Sequence, residues 1–437
     1  MHKHFRWATI TLIVVLIVIN YIDRSAISYA VDPLSKEFGI NTEQYGLIGS
    51  AFSIGYMVFA LLSGPLVDRF GPRKVLLWGM VIWSIATAAT PISGGFTGLL
   101  LVRIILGMGE APGFPAATRI ASRWLPRAER GFALALCGGV AVSGSLLIGG
   151  PLVTQLINAL SWRGMFWVLA VVGLLWAVVA VGLLRSTPNE HPRVSQAERD
   201  YIAAGQLAEE SAAHESTLDW KRLFVNRNLW IVGGGYFAWG FIFWGFLYWL
   251  PQYLSTSYKL DLSQVGAFAV APWAAGCVGA LVGGILVDRV YKRTKSIRSR
   301  FTIMGIALLL AGASLIPVFV APSLTTALVF ISLGVGFGFI TGGIWWVAAI
   351  DAEPSQPGSA AGFADAVFAL SGVVAPLVMG FIVQDTGTFT SGFILMSVLA
   401  LAGSLLMLFC TKERTSMTTG AAASTEGEQV SGQPSAS

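Results

Sequence analysis

Residues 64–74 read GPLVDRFGPRK, and this stretch decides the fold. It joins two long apolar runs, and a shortened copy, GILVDR, recurs at 284–289. Each copy closes the second apolar run of its half of the chain, so the chain contains an internal repeat. Such repeats are typical of membrane proteins built from two parallel halves, with a binding site at their interface near the midplane.

The composition is that of a protein with many membrane spans. The 437 residues are 55% hydrophobic and 12% charged, whereas soluble domains carry about 25% charged residues. A transmembrane helix needs about 20 apolar residues, and the runs are continuous rather than alternating, which excludes lipid-facing strands. The sequence therefore predicts an all-α polytopic membrane protein with twelve transmembrane helices in two six-helix bundles. The predicted spans are 7–30, 45–67, 75–93, 96–117, 131–156, 162–184, 229–254, 264–287, 301–321, 323–349, 358–384 and 388–410.

A polar segment divides the two bundles. It contains Pro188, Pro192 and a charged stretch, and Ser195 and Glu198 within it have the spacing of a helix capping box. The end of the chain is rich in small and polar residues with no apolar face to bury, so we expect it to be disordered. The predicted units are an N-terminal bundle at 1–184, a cytoplasmic linker at 185–228, a C-terminal bundle at 229–410 and a tail at 411–437.

The Lys and Arg residues predict the orientation. With a cytoplasmic N-terminus, all but five of the 28 Lys and Arg residues fall on the cytoplasmic side or its rim. Lys36, Arg163 and Lys259 fall on the opposite side, and Arg24 and Arg103 lie within spans. Cytoplasmic loops carry the excess of Lys and Arg, so we predict a multi-pass protein of a bacterial-type inner (plasma) membrane with both termini cytoplasmic. The same bias explains the basic pI of about 9.1, and no nucleic-acid partner is inferred.

Several other classes of site are excluded. The three cysteines lie in apolar spans without a CxxC spacing, and the four histidines lie outside the spans, so no metal site is predicted. The chain has no GxxxxGK[ST] motif for nucleotide phosphates. The first span lacks a small-residue cleavage site and is too long for a signal peptide. We predict neither a cofactor nor an enzyme activity.

Four ionisable residues lie within the first and fourth spans. Asp23 and Arg24 adjoin each other, and Arg103 and Glu110 are seven residues apart, about 10 Å along one face of a helix. Ionisable residues within a span are by default a functional-site hypothesis. Two acids and two bases can neutralise one another, and a bound carboxylate would disturb that balance, so proton uptake by an acid would compensate. The alternative is a fixed ion-pair cluster that holds the two helices together.

The local motifs resemble a known family. Residues 64–74 resemble the signature loop of the major facilitator superfamily. Residues 107–130, GMGEAPGFPAATRIASRWLPRAER, together with YIDR at 21–24, resemble its anion:cation symporter family. That family includes bacterial sugar-acid transporters and, more distantly, vesicular anion transporters. The resemblance covers about 7–410 and implies the major facilitator fold.

The resemblance and the side-chain chemistry together imply roles. Arg24 would bind the substrate carboxylate through its bidentate fork. Asp23 and Glu110 would carry the coupled proton, and Arg103 would be the counter-charge that sets their affinity. Tyr56 matches a family position that faces the cavity. The predicted substrate-binding residues are Arg24, Tyr21, Tyr56, Tyr236 and Asp365.

In the family the signature loop ties helices together in one conformation and loosens in the other. We expect Asp68 to face the start of the next helix, where backbone N–H groups favour an anion. The alternative is that these charges serve only to set the topology. The predicted residues of this conformational loop are Gly64, Asp68, Arg69, Gly71, Arg73, Asp288 and Arg289.

The second half departs from the sugar-acid pattern. Asp365 and Ala141 stand where those members often carry amide side chains that bind hydroxyl groups. We therefore predict a less hydroxylated monoacid rather than a six-carbon aldonate, with Asp365 binding a donor group or a second proton. Aromatic residues favour a partly apolar or aromatic acid; they are Tyr236, Trp239, Trp244, Tyr248 and Trp249. The alternatives are that at least half of these rings face lipid or core, and that Asp365 lies at the cytoplasmic mouth.

Small residues and prolines predict local packing. Stripes of glycine in the eighth and tenth spans let helices approach closely; they are Gly276, Gly279, Gly283, Gly334, Gly338 and Gly342. Pro112 and Pro115 are expected to bend the fourth helix just after Glu110.

The leading functional hypothesis is a proton-coupled symporter for a small organic anion, which works by rocking of the two halves. The anion is a carboxylate, a sugar acid or an aromatic acid. The predicted partners are the anion, a proton and the lipid bilayer, and the chain is expected to be a monomer. One alternative is an uncoupled uniporter or anion exchanger with the same fold. A remote alternative is a membrane sensor that does not transport, although the linker and tail are too short for a signalling domain.

Overall fold

The computed structural model describes residues 4–205, 220–294, 296–320, 323–353 and 356–410, and all regular structure in these ranges is helical. The first half contains α1 (Phe5–Tyr29), α2 (Val31–Phe38), α3 (Thr42–Phe70), α4 (Pro72–Ala89), α5 (Phe96–Glu110), α6 (Gly113–Trp124), α7 (Arg127–Ala135) and α8 (Ala141–Leu183). Two short helices follow, α9 (Gln196–Ala204) and α10 (Trp220–Val225). The second half contains α11 (Arg227–Tyr258), α12 (Leu262–Phe268), α13 (Val270–Thr294), α14 (Ile297–Leu315), α15 (Leu324–Phe339), α16 (Trp345–Ala352), α17 (Pro357–Thr386) and α18 (Thr390–Phe409).

The predicted membrane crossings are all present in the described ranges. Ten helical segments are long and apolar enough to span a bilayer. One of them, Glu129–Leu183, has 55 residues and turns at Ser161, where φ is 72° and ψ is 167°, so it crosses twice. The shorter apolar helix Leu324–Phe339 supplies the remaining crossing. The chain is therefore an all-α polytopic membrane protein with twelve crossings, as predicted.

Breaks in the helices occur where the sequence weakens them. The fourth span is interrupted after Glu110, and Pro112 precedes the first residue of α6, so the predicted bend is present. Residues Leu136–Val140 form a π-helical turn that continues into α8. The short helix α2 was not predicted; it lies between the first two crossings and ends at Gly39, whose φ of 65° suits glycine.

The glycine stripe of the eighth span, Gly276, Gly279 and Gly283, brings α13 against α15. A Cβ added to Gly279 would lie 2.0 Å from the carbonyl oxygen of Gly336, and one added to Gly283 would lie 2.1 Å from that of Ile340. Only a residue without a side chain permits such a backbone approach. The prediction that these glycines serve packing is confirmed.

Helices of the two halves pack together at the end of the molecule where α3 begins. There α3 packs on α17, and α8 packs on α12 and α13. Hydrogen bonds between the halves at this end join Thr42 to Gln384, Ser50 to Val373 and Asn158 to Ser263. At the opposite end a Cβ added to Gly64, Gly284 or Gly362 would meet no atom within 4 Å. The interface is thus tight at one end, and these positions at the other end are open.

The α9 segment of the predicted linker is attached to the start of α1. The Ser195 hydroxyl caps α9 by accepting a hydrogen bond from the Glu198 N–H. In a full capping box the Glu198 side chain would accept in return from the Ser195 backbone N–H, but here it has other partners. The Glu198 carboxylate instead accepts from the backbone N–H groups of Phe5 and Arg6, each at 3.1 Å, and from the Arg6 guanidinium. Arg6 also pairs with Glu129 on α7. The helix that begins at Gln196 therefore caps α1 rather than closing its own box.

The signature loop differs in one respect from the expectation. Asp68 pairs with Arg119 on α6 at 3.3 Å, rather than with the N–H groups at the start of α4. Gly71 has φ 84° and ψ 148° at the start of α4, a backbone that favours glycine. Arg73 donates to the Val181 carbonyl at 2.7 Å. The loop therefore bonds to α6 and α8.

The remaining predicted loop residues are less constrained. Arg69 is exposed and lies over the Phe70 ring, Gly64 has open space around it, and Arg289 is exposed near the end of α13. The Asp288 side chain and the tail at 411–437 lie outside the described residues.

Candidate functional site

A cavity lies between the two halves, and it contains every residue predicted to bind substrate. Arg24 and Tyr21 reach it from α1, Tyr56 from α3, Tyr236 from α11 and Asp365 from α17. The rest of its lining is aromatic or apolar: Phe114, Gly138, Val142, Trp239, Phe243, Trp244, Phe339, Gly342, Trp346 and Phe368. A concave, mostly apolar site with a few polar groups is the usual form of a small-molecule site.

Arg24 and Glu110 form a buried ion pair at this cavity. The Arg24 Nε and Nη2 atoms donate to Glu110 Oε2 at 3.1 and 2.9 Å. Nη2 also donates to Asn20 Oδ1, one turn earlier on α1, at 3.0 Å. The second carboxylate oxygen, Glu110 Oε1, is buried and accepts no hydrogen bond from the residues that the structure describes. The pair is therefore neutral overall but incompletely bonded on its acidic side.

Aromatic rings surround the Arg24 guanidinium. Its Cζ atom lies 4.4 Å from the ring centre of Tyr21, 4.7 Å from Phe52, 5.2 Å from Tyr56 and 5.4 Å from Trp244. Such rings attract a cation through their electron-rich faces. Trp244 is on α11, so both halves of the molecule contribute to the surroundings of this one side chain.

Asp23 faces away from its neighbour Arg24. Consecutive helical residues project about 100° apart, and Asp23 points to α4, where it accepts a hydrogen bond from the Trp83 indole N–H. Asp23 Oδ1 is buried and has no hydrogen-bond partner within the described ranges. The acid is thus held against α4, outside the set of cavity-lining residues.

Arg103 contacts the second half instead of the two acids. Its Nη2 donates to the Tyr248 hydroxyl at 2.8 Å, and its Cζ lies 4.9 Å from the Phe52 ring centre. Among the described residues, Arg103 forms no ion pair with Asp23 or Glu110. Of the four ionisable residues that were expected to neutralise one another, only Arg24 and Glu110 form a direct ion pair within the described ranges. Asp23 and Arg103 each bond to an aromatic side chain instead. Asp23 is directed away from the Arg24–Glu110 pair because adjacent residues on α1 face different helices.

Asp365 lines the cavity together with Arg24. Its Oδ1 accepts from the Trp346 indole N–H at 2.6 Å. It is partly buried and shares the cavity with Arg24. The site therefore has one basic and one acidic side chain along its walls.

The predicted aromatic residues of α11 are all buried. Tyr236, Trp239 and Trp244 line the cavity, and all five rings also belong to the buried core, so the alternative that at least half of them face lipid or core stays open. Tyr236 is stacked between Trp345 and Phe368, with ring centres at 4.8 and 4.5 Å. Tyr248 bonds to Arg103 and Trp249 packs on Tyr45.

Sequence reasoning missed four partners of the charged groups. They are Asn20, Trp83, Tyr248 and Trp346. Asn20 could have been found, because it precedes Arg24 by one helical turn. The other three lie on helices that are apolar all round, so no periodicity shows which face each ring occupies.

The described residues do not form a cluster of potential metal ligands. Among the described residues no group of three or more His, Cys, Asp or Glu side chains could hold a metal ion.

Relatives of this chain are membrane transporters. A family model of the Major Facilitator Superfamily matches residues 13–376. The probable sulfoacetate transporter of Cupriavidus necator is 34% identical over 397 residues, 90% of each chain. The hexuronate transporter of Bacillus subtilis is 32% identical across 90% of this chain and 91% of its own. The probable L-galactonate transporter of Escherichia coli is 31% identical across 94% of this chain and 90% of its own.

Solved structures show the same fold. A bacterial homologue of the human lysosomal transporter Spinster, in an inward-facing and occupied conformation, matches with a TM-score of 0.71 at 16% identity. The match covers 93% of this chain and 97% of that chain. The relatives are named for transport and not for an enzymatic reaction. The relatives named above transport sugar acids and another organic anion, and the chain itself belongs to the major facilitator superfamily.

Proposed function

We propose that this protein is a proton-coupled symporter of a small organic anion that works by alternating access. The observation that carries the proposal is the Arg24–Glu110 pair at the wall of the cavity between the halves. Both side chains are buried, and the only cationic group among the cavity-lining residues is already bound to an acid. An arriving anion must compete with Glu110 for the same guanidinium.

That competition supplies a physical route to coupling. When the substrate takes the Arg24 guanidinium, Glu110 remains as a buried carboxylate without its counter-ion. Removing one partner of a buried ion pair is strongly unfavourable because it leaves an uncompensated charge. Proton uptake by Glu110 restores neutrality, so one anion and one proton enter the site together. Asp23, held by Trp83 on α4, is the second candidate for a proton carrier.

The lining favours an acid with few hydroxyl groups. Beside Arg24 and Asp365, its polar side-chain groups are tyrosine hydroxyls and indole N–H groups. Neutral amide side chains, which bind sugar hydroxyls in pairs, are not among the lining residues that the structure describes. Because an apolar wall gains nothing from a hydroxyl group, we propose a monoacid less hydroxylated than an aldonate.

The sidedness is also proposed. The charge bias places both termini and the linker in the cytoplasm of a cell whose inner membrane holds the protein. The tight end of the interface, at Thr42 and Ser50, then faces outward, and the end with open positions such as Gly64 faces inward. The two bundles, 1–184 and 229–410, would rock about this cavity, with the signature loop on the cytoplasmic side and the chain acting as a monomer.

The test is in two steps. Purified protein is first screened by thermal shift with galactonate, galacturonate, sulfoacetate and benzoate, since a ligand specific to the folded state raises its melting temperature. The best ligand is then offered, radiolabelled, to proteoliposomes with an imposed pH gradient. Accumulation above the external concentration, abolished by a protonophore, is the expected result. Transport that equilibrates but never accumulates under a pH gradient would instead establish a uniporter or exchanger.

A further inference from the structure

Asp365 gives the cavity a charge that an anion transporter does not require. Its described partner is the Trp346 indole N–H, a neutral donor. In the described part of the chain no Lys or Arg lies within ion-pair distance of it, and Arg24, which shares the cavity, is paired with Glu110. When Asp365 is ionised, the cavity therefore carries one negative charge that no basic residue of the described chain balances.

An acid alone would meet repulsion there. Like charges within a low-dielectric site repel each other more strongly than they do in water. The repulsion disappears if the substrate itself carries a positive group that reaches Asp365. A carboxylate with one neutral indole donor retains acceptor capacity for an ammonium group.

The walls next to Asp365 suit a cation. Tyr236 and Phe368 stack with their centres 4.5 Å apart, and Phe114 and Trp346 lie 5.7 Å apart. All four rings line the cavity with Asp365. An ionised carboxylate in a cavity lined by aromatic rings can bind an ammonium group, because ring faces that no other ring covers attract cations.

We infer that the substrate is a zwitterion, with an acid group that binds Arg24 and an ammonium group that binds Asp365 among these rings. The inference rests on the proposed function, since it assigns Arg24 to the acid group. It names amino acids in which the two charged groups are separated by a short chain, including amino-sulfonates. The two poles of the substrate then match the two halves of the molecule, because Arg24 is on α1 and Asp365 is on α17.

The experiment compares pairs of acids of equal length, one of which carries an ammonium group where the other carries a hydroxyl group. Binding to the purified full chain is measured by isothermal calorimetry for unbranched ω-amino acids of two to six carbons. Each is paired with the ω-hydroxy acid of the same length, and taurine is paired with isethionate. For at least one length the amino acid should bind about tenfold more tightly, because hydrogen bonds to charged groups contribute about 1.5–3 kcal/mol. In Asp365→Asn this preference should fall to about twofold or less, while Asp385→Asn, an exposed acid on the same helix, should keep it.

The comparison of amino acids with hydroxy acids on the wild-type protein tests the inference even if Asp365→Asn does not fold. Absence of any ammonium preference at every length, or a preference that persists in Asp365→Asn, would overturn the inference. If the hydroxy acids bind as tightly as the amino acids at every length and Arg24→Lys abolishes the binding of both, the proposed anion site stands while the zwitterion inference fails. If Arg24→Lys binds every acid as the wild type does, the assignment of Arg24 fails, and both proposals fail with it.

Discussion

Arg24 donates two hydrogen bonds to a single oxygen of Glu110, Oε2, and leaves Glu110 Oε1 without a donor among the described residues. A guanidinium and a carboxylate more often meet through two parallel bonds to two oxygens. The pairing here is therefore weaker than the best geometry allows. A substrate carboxylate able to accept both bonds in parallel would displace Glu110 at a smaller cost.

The first prediction concerns the guanidinium of Arg24. In Arg24→Lys the charge remains but the planar fork is lost, so anion affinity should fall about 10- to 100-fold. Calorimetry with the ligand found by thermal shift measures the loss. Arg163→Lys, which changes an exposed arginine paired with Glu37, is the matched control and should bind normally. Wild-type affinity in Arg24→Lys would remove this residue from the site.

The second prediction concerns the buried acid. Glu110→Gln keeps the shape of the side chain and removes its titratable proton. Accumulation driven by a pH gradient should be abolished, while counterflow exchange of substrate continues, because exchange moves no net protons. Both are measured in the same proteoliposomes. Should the variant still concentrate substrate against its gradient, the coupling proton is carried elsewhere, and Asp23→Asn becomes the next variant to assay.

The third prediction concerns the contact between α13 and α15. In Gly279→Ala the new Cβ would lie 2.0 Å from the Gly336 carbonyl oxygen, which is backbone and cannot move aside cheaply. Overpacking should destabilise the protein by about 1–3 kcal/mol, seen as a lower melting temperature in detergent. Gly284→Ala is the control on the same helix, because its Cβ would meet nothing within 4 Å. Equal melting temperatures for the two variants would contradict the close packing.

The fourth prediction concerns His191, which lies after α8 and outside the spans. Burial lowers the pKa of His191 below its usual value of 6.5, and Arg185 and Arg193 lower it further. Its Nδ1 already accepts from the Arg193 N–H at 3.1 Å, and its ring packs 4.1 Å from that of Phe5. The folded state therefore favours the neutral imidazole.

The sign of the pH effect follows from that direction. Below about pH 6.5 the unfolded chain binds a proton that the folded chain resists, so stability falls as the pH is lowered. The decrease in melting temperature between about pH 7 and pH 5 should be smaller in His191→Gln than in the wild type. Parallel pH profiles for the two proteins would show that His191 does not contribute.

Much of the site could be predicted from spacing alone. Arg103 and Glu110 lie seven residues apart, and the structure buries both on α5 as the helical repeat requires. Asp23 and Arg24 are adjacent in sequence, yet they bond to different helices, because neighbouring helical residues project about 100° apart. Spacing thus predicts which residues of one helix share a face, while the partner across the interface depends on the tertiary packing.

The aromatic hydrogen-bond partners of the acids show which part of the site could not be predicted from the sequence. Trp83 and Trp346 each bond to an acid, yet nothing in their sequence neighbourhood separates them from Trp78, which is 68% exposed on the same helix as Trp83. In a span that is apolar on every side, a tryptophan toward lipid and one toward an acid have the same local pattern. Only the three-dimensional arrangement distinguishes them.

The backbone contact of Gly279 and Gly283 with α15 has a mechanical consequence. Sliding α13 along α15 by one residue would press the side chain of Val278 or Ala280 toward carbonyl oxygens that lie about 2 Å from where a Cβ atom on Gly279 or Gly283 would be. The helices α13 and α15 therefore form one rigid unit. The helix is already broken between Phe339 and Trp345, at the cavity wall, so bending in this half is expected there rather than between α13 and α15. The glycines of α13 would thus direct any change of shape to the wall of the proposed substrate site.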